Sequence, residues 1–182
     1  MNPKPLFDPG KHHRRSIRLK GYDYSQDALY FVTVCSHKRI CMFGNIINGE
    51  VILNEIGRVA MRCWQNIPTY FEHALLQEYI IMPNHVHGII ELQENHVKSQ
   101  SQPQQNHYHK IIPGSLGSII RGFKTGVTNW CQNNGIRDKV WQRNYHEHIL
   151  RNSRDYNYVA GYILSNPNTW SMDQLYKSGD NS

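Results

Sequence analysis

Tyr79-Ile-Ile-Met-Pro-Asn-His-Val-His-Gly-Ile-Ile-Glu-Leu92 carries two apolar runs on either side of a Pro83-Asn84 break. Side chains alternate between the faces of a strand, so His85 and His87 share one face and Val86 takes the other, toward a core. Two imidazoles fixed on one rigid strand are a ready pair of metal ligands. Neutral imidazole accepts several divalent metals, and the remaining ligands narrow the choice. Two strand histidines near a surface fit the same pattern without a metal, and two residues alone do not decide between these readings.

Working outward, Ala74 to Met82 reads as a strand that pairs with His85 to Leu92 across the Pro-Asn turn. Upstream, Leu29-Tyr-Phe-Val-Thr-Val-Cys-Ser36 is β-branched and aromatic, a central strand. Cys41-Met-Phe-Gly and Glu50-Val-Ile-Leu53 flank an Asn- and Gly-rich stretch, Gly44 to Gly49, and read as a short hairpin. Asn54 caps a helix to about Asn66, with Ile56, Val59, Ala60 and Cys63 at helical spacing and Pro68 beyond its end.

Downstream, Gln93 to Pro113 is Gln, Asn, Ser and His with few apolar residues, a surface loop. Its His107 and His109 lack the apolar flanks that would fix them on one face. Ser115 opens a helix to about Asn133, buried along Leu116, Ile119, Ile120, Phe123 and Val127, with Arg121 and Lys124 on its exposed side. Val140 to Leu150 is extended and holds a third His-x-His, His146 and His148, which competes with His85 and His87 as a ligand pair. Asn152 or Ser153 caps a last helix through Tyr156, Val159, Tyr162, Ile163 and Asn166, closed by Pro167. This order predicts an α+β domain with an antiparallel sheet and helices collected mainly on one face.

The chain has 182 residues, enough for one domain, and 39% are hydrophobic. Lys and Arg number 20 against 14 Asp and Glu, a net charge of +6 that favours a polyanionic partner. Residues 1–21 concentrate base at Arg14, Arg15, Arg18 and Lys20 and read as an arm reaching for phosphates or as a solvated tail. The four cysteines show no C-x-x-C pairing, which fits a reducing cytosol and gives no zinc site. There is no apolar stretch fit for a membrane span or signal peptide, no glycine-rich phosphate loop and no G-x-S-x-G.

Tyr162 and Asn166 stand at i and i+4 on one helix face. A phenol can serve as nucleophile and an amide oxygen can ligate a hard metal, so with two histidines they suit Mg²⁺ or Mn²⁺ holding a phosphate oxygen. Spacing alone favours the plainer reading, a half-buried core tyrosine and a helix-terminal asparagine before Pro167.

Several segments resemble the REP-associated tyrosine transposases of the single-tyrosine HUH superfamily. They are Arg14-Arg-Ser-Ile-Arg-Leu-Lys-Gly-Tyr-Asp-Tyr24, Tyr30-Phe-Val-Thr-Val34, Met82-Pro-Asn-His-Val-His-Gly88, Phe123-Lys124, Trp141-Gln-Arg-Asn-Tyr145 through Glu147-His-Ile149, and Gly161-Tyr-Ile-Leu-Ser-Asn-Pro167. The resemblance implies a ferredoxin-like sheet with the histidine strand central. The catalytic domain would span residues 22–170, before a short polar tail over 171–182. His85 and His87 would be metal ligands, Asn166 the third ligand and Tyr162 the nucleophile. The implied activity is metal-dependent cleavage and rejoining of single-stranded DNA beside palindromic hairpins, through a 5′-phosphotyrosine. Arg14, Arg15, Arg18, Lys20, Arg121 and Lys124 would be candidates for phosphate contacts, and the protein would be a monomer or homodimer. The rivals are a DNA-binding relative without catalysis and a phosphodiesterase that uses water as nucleophile.

Overall fold

The computed structural model describes residues 22–93 and 112–176. The basic arm with Arg14, Arg15, Arg18 and Lys20, the His107/His109 pair and residues 177–182 lie outside the described residues.

Four strands form one antiparallel sheet: β1 (Ala28–Cys35), β4 (Ala74–Met82), β5 (His85–Leu92) and β6 (His146–Leu150), in the order β4-β5-β1-β6. The histidine strand is internal, as expected. It pairs with β4 through the two-residue Pro83-Asn84 connection, Met82 opposite His85, and with β1, Thr33 opposite His87. β6 pairs with the other side of β1 and forms an edge.

A separate hairpin joins β2 (Gly44–Ile47) and β3 (Glu50–Leu53). The first arm therefore lies within the stretch read as its loop, and the turn is Asn48-Gly49. Both residues have positive φ, 52° and 78°, the conformation that favours a tight two-residue hairpin with Asn-Gly.

Helix α1 (Glu55–Gln65) is capped by Asn54, whose side chain accepts from the Gly57 N–H at 2.9 Å. A short α2 (Ile67–Tyr70) follows, with Pro68 in its first turn, where a missing N–H costs nothing. The next helix, α3 (Leu116–Asn133), starts at its Ser115 cap and buries the predicted stripe. Trp64 and Ala60 of α1 and Leu116, Ile119, Ile120, Phe123 and Val127 of α3 form the main core with Tyr30, Val32, Val34, Val86 and Ile90 of the sheet. Gly88 lies beneath Trp64; a Cβ there would run into the indole.

The last helix, α4 (Ser153–Ser165), takes the opposite face. Val159, Ala160 and Ile163 form a second core with Ile89 and Leu150, flanked by Leu29, Phe31 and Ile80. The helices are thus divided between the faces, two long ones on one side and α4 on the other. Pro167 does not end the structure: a 3-10 helix runs from Asn166 to Met172. Among the described residues no helix is long and apolar enough to cross a membrane.

Candidate metal and nucleophile site

Residues of one parity on β5 face α4, so His85 and His87 stand on the face that α4 covers, not the main-core face. Their ring centroids are 4.3 Å apart, and both residues are buried.

Each ring is oriented through Nδ1. Asn84, itself wholly buried, uses its Nδ2 to donate to the Arg39 carbonyl at 3.1 Å and the Leu175 carbonyl at 2.8 Å. Both amide hydrogens being spent, its oxygen faces His85 Nδ1 at 2.8 Å and can only accept. His85 Nδ1 therefore carries the proton, and Nε2 presents a lone pair. The Thr33 hydroxyl lies 2.9 Å from His87 Nδ1 and holds the second ring.

α4 brings Tyr162 over this pair. Its hydroxyl lies 3.3 Å from His87 Nε2 and donates to Asp173 Oδ2 at 3.1 Å. Asn166 Nδ2 donates to the same carboxylate oxygen at 2.8 Å. Phe31 packs beside both His87 and Tyr162, and Trp170 beside His85.

Asp173 was not anticipated; residue 171 onward was expected to be a polar tail. Instead the 3-10 helix turns residues 173–176 back onto the site, and His85, His87 and Asp173 bring one potential ligand atom each within 4.8 Å of one another. Two buried atoms at this place have no hydrogen-bond partner, His85 Nε2 and Asn166 Oδ1. Leaving such atoms buried and unmet costs about 1–3 kcal/mol each, and each presents a lone pair that can ligate a cation. A borderline nitrogen pair with one carboxylate and one amide oxygen suits Mn²⁺ and tolerates Mg²⁺. The residues present thus fit the divalent metal that the resemblance implies.

The electrostatics agree. Burial, then Arg39, pushes the His85 imidazole down to about 3. Burial, then His85, holds His87 well below the ordinary range, while Asp173 and the Val32 carbonyl pull the other way. Both rings are neutral at physiological pH, the form that ligates metal. Burial, then the Asp173 carboxylate, pushes the Tyr162 phenol up to about 12.

The other predicted residues divide. His146 and His148 are exposed on β6 and do not join the ligand cluster. Lys124, expected on the exposed side of α3, is half-buried: its ammonium donates to the Gln142 and Asn144 carbonyls, both at 2.9 Å, and burial lowers it to about 8. It anchors the Trp141-Gln-Arg-Asn-Tyr145 segment to α3. Arg121 is exposed on α3, on the sheet face opposite the histidines. Tyr145 is buried in the main core. Tyr158, the nearest rival nucleophile in α4, is 79% exposed, and Tyr156 donates to Glu78 at 2.7 Å.

No family model matches the chain. An uncharacterized protein of Haemophilus influenzae is 44% identical over 174 residues, 93% of this chain and 97% of that protein. The chain belongs to that protein's family. Among solved structures it resembles a REP-associated tyrosine transposase bound to a REP hairpin. The TM-score is 0.58 at 19% identity, with 93% of this chain and 94% of that one covered. The two proteins share the α+β fold with its four-stranded antiparallel sheet.

Proposed function

We propose that the protein is a single-tyrosine HUH transposase of the REP-associated kind, which cuts and rejoins single-stranded DNA beside short palindromic hairpins. One observation carries the reading: α4 sets the Tyr162 hydroxyl 3.3 Å from His87 Nε2, beside two buried atoms that lack partners, His85 Nε2 and Asn166 Oδ1. A core tyrosine has no need of such surroundings. The resemblance to a transposase bound to a REP hairpin and the net charge of +6 support the choice of substrate.

In the proposed step Tyr162 Oη forms a bond to the scissile phosphorus and the bond to the 3′ oxygen breaks, leaving a 5′-phosphotyrosine and a 3′-hydroxyl. The phenol proton has an acceptor in place, Asp173 Oδ2 at 3.1 Å. The 3′-hydroxyl can later attack the same phosphorus and restore the strand, so no nucleotide cofactor is consumed. His85, His87, Asn166 and Asp173 would hold Mg²⁺ or Mn²⁺, whose chemistry is to offset charge on the non-bridging phosphate oxygens. Thr33 and Asn84 keep the two imidazoles turned with Nε2 inward. Arg121 and the arm residues Arg14, Arg15, Arg18 and Lys20 remain candidates for phosphate contacts outside this site.

The test is covalent capture. Wild-type protein with a 5′-extended single-stranded hairpin and Mn²⁺ should yield a denaturant-resistant adduct carrying the DNA downstream of the cut. Tyr162→Phe should yield none yet still shift the hairpin on a native gel, whereas Tyr158→Phe should react normally. Cleavage without an adduct would make water the nucleophile, and binding without cleavage by the wild type would favour a DNA-binding relative that has lost catalysis.

A further inference from the structure

The third His-x-His plays no part in the cluster, yet its placement is specific. His146 lies opposite Thr33, which on its other side lies opposite His87; His148 lies opposite Phe31, itself opposite Ile89. Residues opposite one another across an antiparallel sheet project from the same face. His146, Thr33 and His87 thus form one row, and His148, Phe31 and Ile89 the next. Two strand spacings separate His146 from His87, about 10 Å.

α4 packs chiefly over β4 and reaches β5 and β6 alike, with Leu150 of β6 and Phe31 of β1 in its cluster; beyond Phe31, His146 and His148 stay exposed, which leaves a shelf beside Tyr162. Its floor is Phe31, whose ring lies 6.3 Å from that of Tyr162. Its outer wall is the two imidazoles, both exposed, on an edge strand with nothing paired beyond it among the described residues. A second metal lacks a third ligand there: the only His, Cys, Asp and Glu cluster among the described residues is His85, His87 and Asp173. Two outward N–H donors beside a phosphodiester site, with an open edge behind them, suit an anion of the same polymer.

We infer that His146 and His148 form a rail for the substrate strand, their ring N–H groups donating to the backbone phosphate next to the scissile one as the DNA leaves over the β6 edge. This deepens the reading of the site as one for single-stranded DNA. It assigns the two histidines a positioning role, separate from metal ligation.

The test uses Tyr162→Phe protein, which binds without cutting, and a hairpin that this protein selects from stem-loop oligonucleotides with randomised single-stranded flanks. Each flank phosphate is replaced in turn by a methylphosphonate, and affinity is measured in EDTA. His146→Ala/His148→Ala should weaken binding about tenfold, as expected for lost hydrogen bonds to a charged acceptor. It should also abolish the effect of one methylphosphonate, adjacent to the scissile position, while the other positions keep theirs. His146→Gln/His148→Gln, which retains an N–H donor, should recover part of the loss, showing that the Ala variant is folded. Unchanged affinity, or undiminished sensitivity at every phosphate, overturns the rail. So does a defect that appears only with Mn²⁺, which would make the pair metal ligands. A pool that yields no bound hairpin overturns the DNA reading and the rail with it. Wild-type cleavage without an adduct would remove Tyr162 as nucleophile and leave the methylphosphonate result standing.

Discussion

Asn84→Ala should damage the fold and the site together, in separable amounts. Asn84 is wholly buried, and three hydrogen bonds end on it, to His85 Nδ1, the Arg39 carbonyl and the Leu175 carbonyl. A typical hydrogen bond contributes about 1 kcal/mol net, and a buried group left unmet costs about 1–3 kcal/mol. Truncation strands three groups at once. Water entering the vacated space softens the loss, so about 3–5 kcal/mol is expected, a large share of a domain's stability. Urea unfolding in EDTA measures this part. The second part concerns His85: without the Asn84 oxygen nothing fixes which ring nitrogen carries the proton. Partners of this kind typically change metal affinity by about 10–100-fold, which calorimetric titration with Mn²⁺ measures. Asn84→Asp separates the two effects, since a carboxylate still accepts from His85 Nδ1 but cannot donate to the two carbonyls. It should retain more of the Mn²⁺ affinity than of the stability. An Ala variant within about 1 kcal/mol of wild type and with unchanged Mn²⁺ affinity would refute the account of Asn84 as the link between His85, the Arg39 turn and the chain at Leu175.

Other perturbations reach other parts of the molecule. Gly88→Ala forces a methyl group against Trp64 and should cost about 1–3 kcal/mol by overpacking; a thermal midpoint equal to wild type would show that the indole can move aside. Lys124→Met should destabilise without changing DNA affinity, because the Gln142 and Asn144 carbonyls lose their donor; a normal urea midpoint with weakened DNA binding would reverse that assignment. In EDTA the protein should lose stability as pH falls below about 6.5, the unfolded histidine value. His85 in the fold resists protonation down to about 3, so the unfolded chain takes up the proton first and gains throughout that window. The limit for this one residue is about 5 kcal/mol if the whole shift is realised. His85→Gln should flatten the acid limb of urea midpoints measured from pH 7 to 4; an identical limb in both proteins would mean that other groups drive it.

The sequence pattern located the strands better than the site. His85 and His87 were legible because a strand's period of two is strict and apolar residues fill the flanking positions. Tyr162 and Asn166 were legible as a helical pair. Asp173 was not, because Ser171, Asp173 and Gln174 surround a single apolar residue, Met172, with no apolar period to suggest that the segment packs. Pro167 strengthened the error. A proline ends the helix before it but is well placed in the first turn of the next one, and the 3-10 helix that begins at Asn166 is what returns Asp173 to the histidines. The hairpin shows the reverse case. Asn48-Gly49 is a strong turn signal, and reading the whole of Gly44 to Gly49 as loop passed over it.

The side of the sheet taken by α4 follows from one feature of β5 that was present in the sequence. A strand covered on one face alternates apolar and polar residues; a strand covered on both does not. In β5, Val86 and Ile90 belong to one face and Ile89 to the other, and all three are buried. Adjacent Ile89 and Ile90 therefore require cover on both faces. α1 and α3 cover Ile90, and the amphipathic helix that remains is α4, with Val159, Ala160 and Ile163 to set against Ile89. His85 and His87 have the parity of Ile89, so the helix that buries Ile89 must pass over the histidines' face and carry Tyr162 with it. One apolar contact, Ile89 against α4, thus places a tyrosine that lies 75 positions beyond His87 in the chain within 3.3 Å of its imidazole. Ile89→Ala should accordingly loosen that approach as well as the core beneath it.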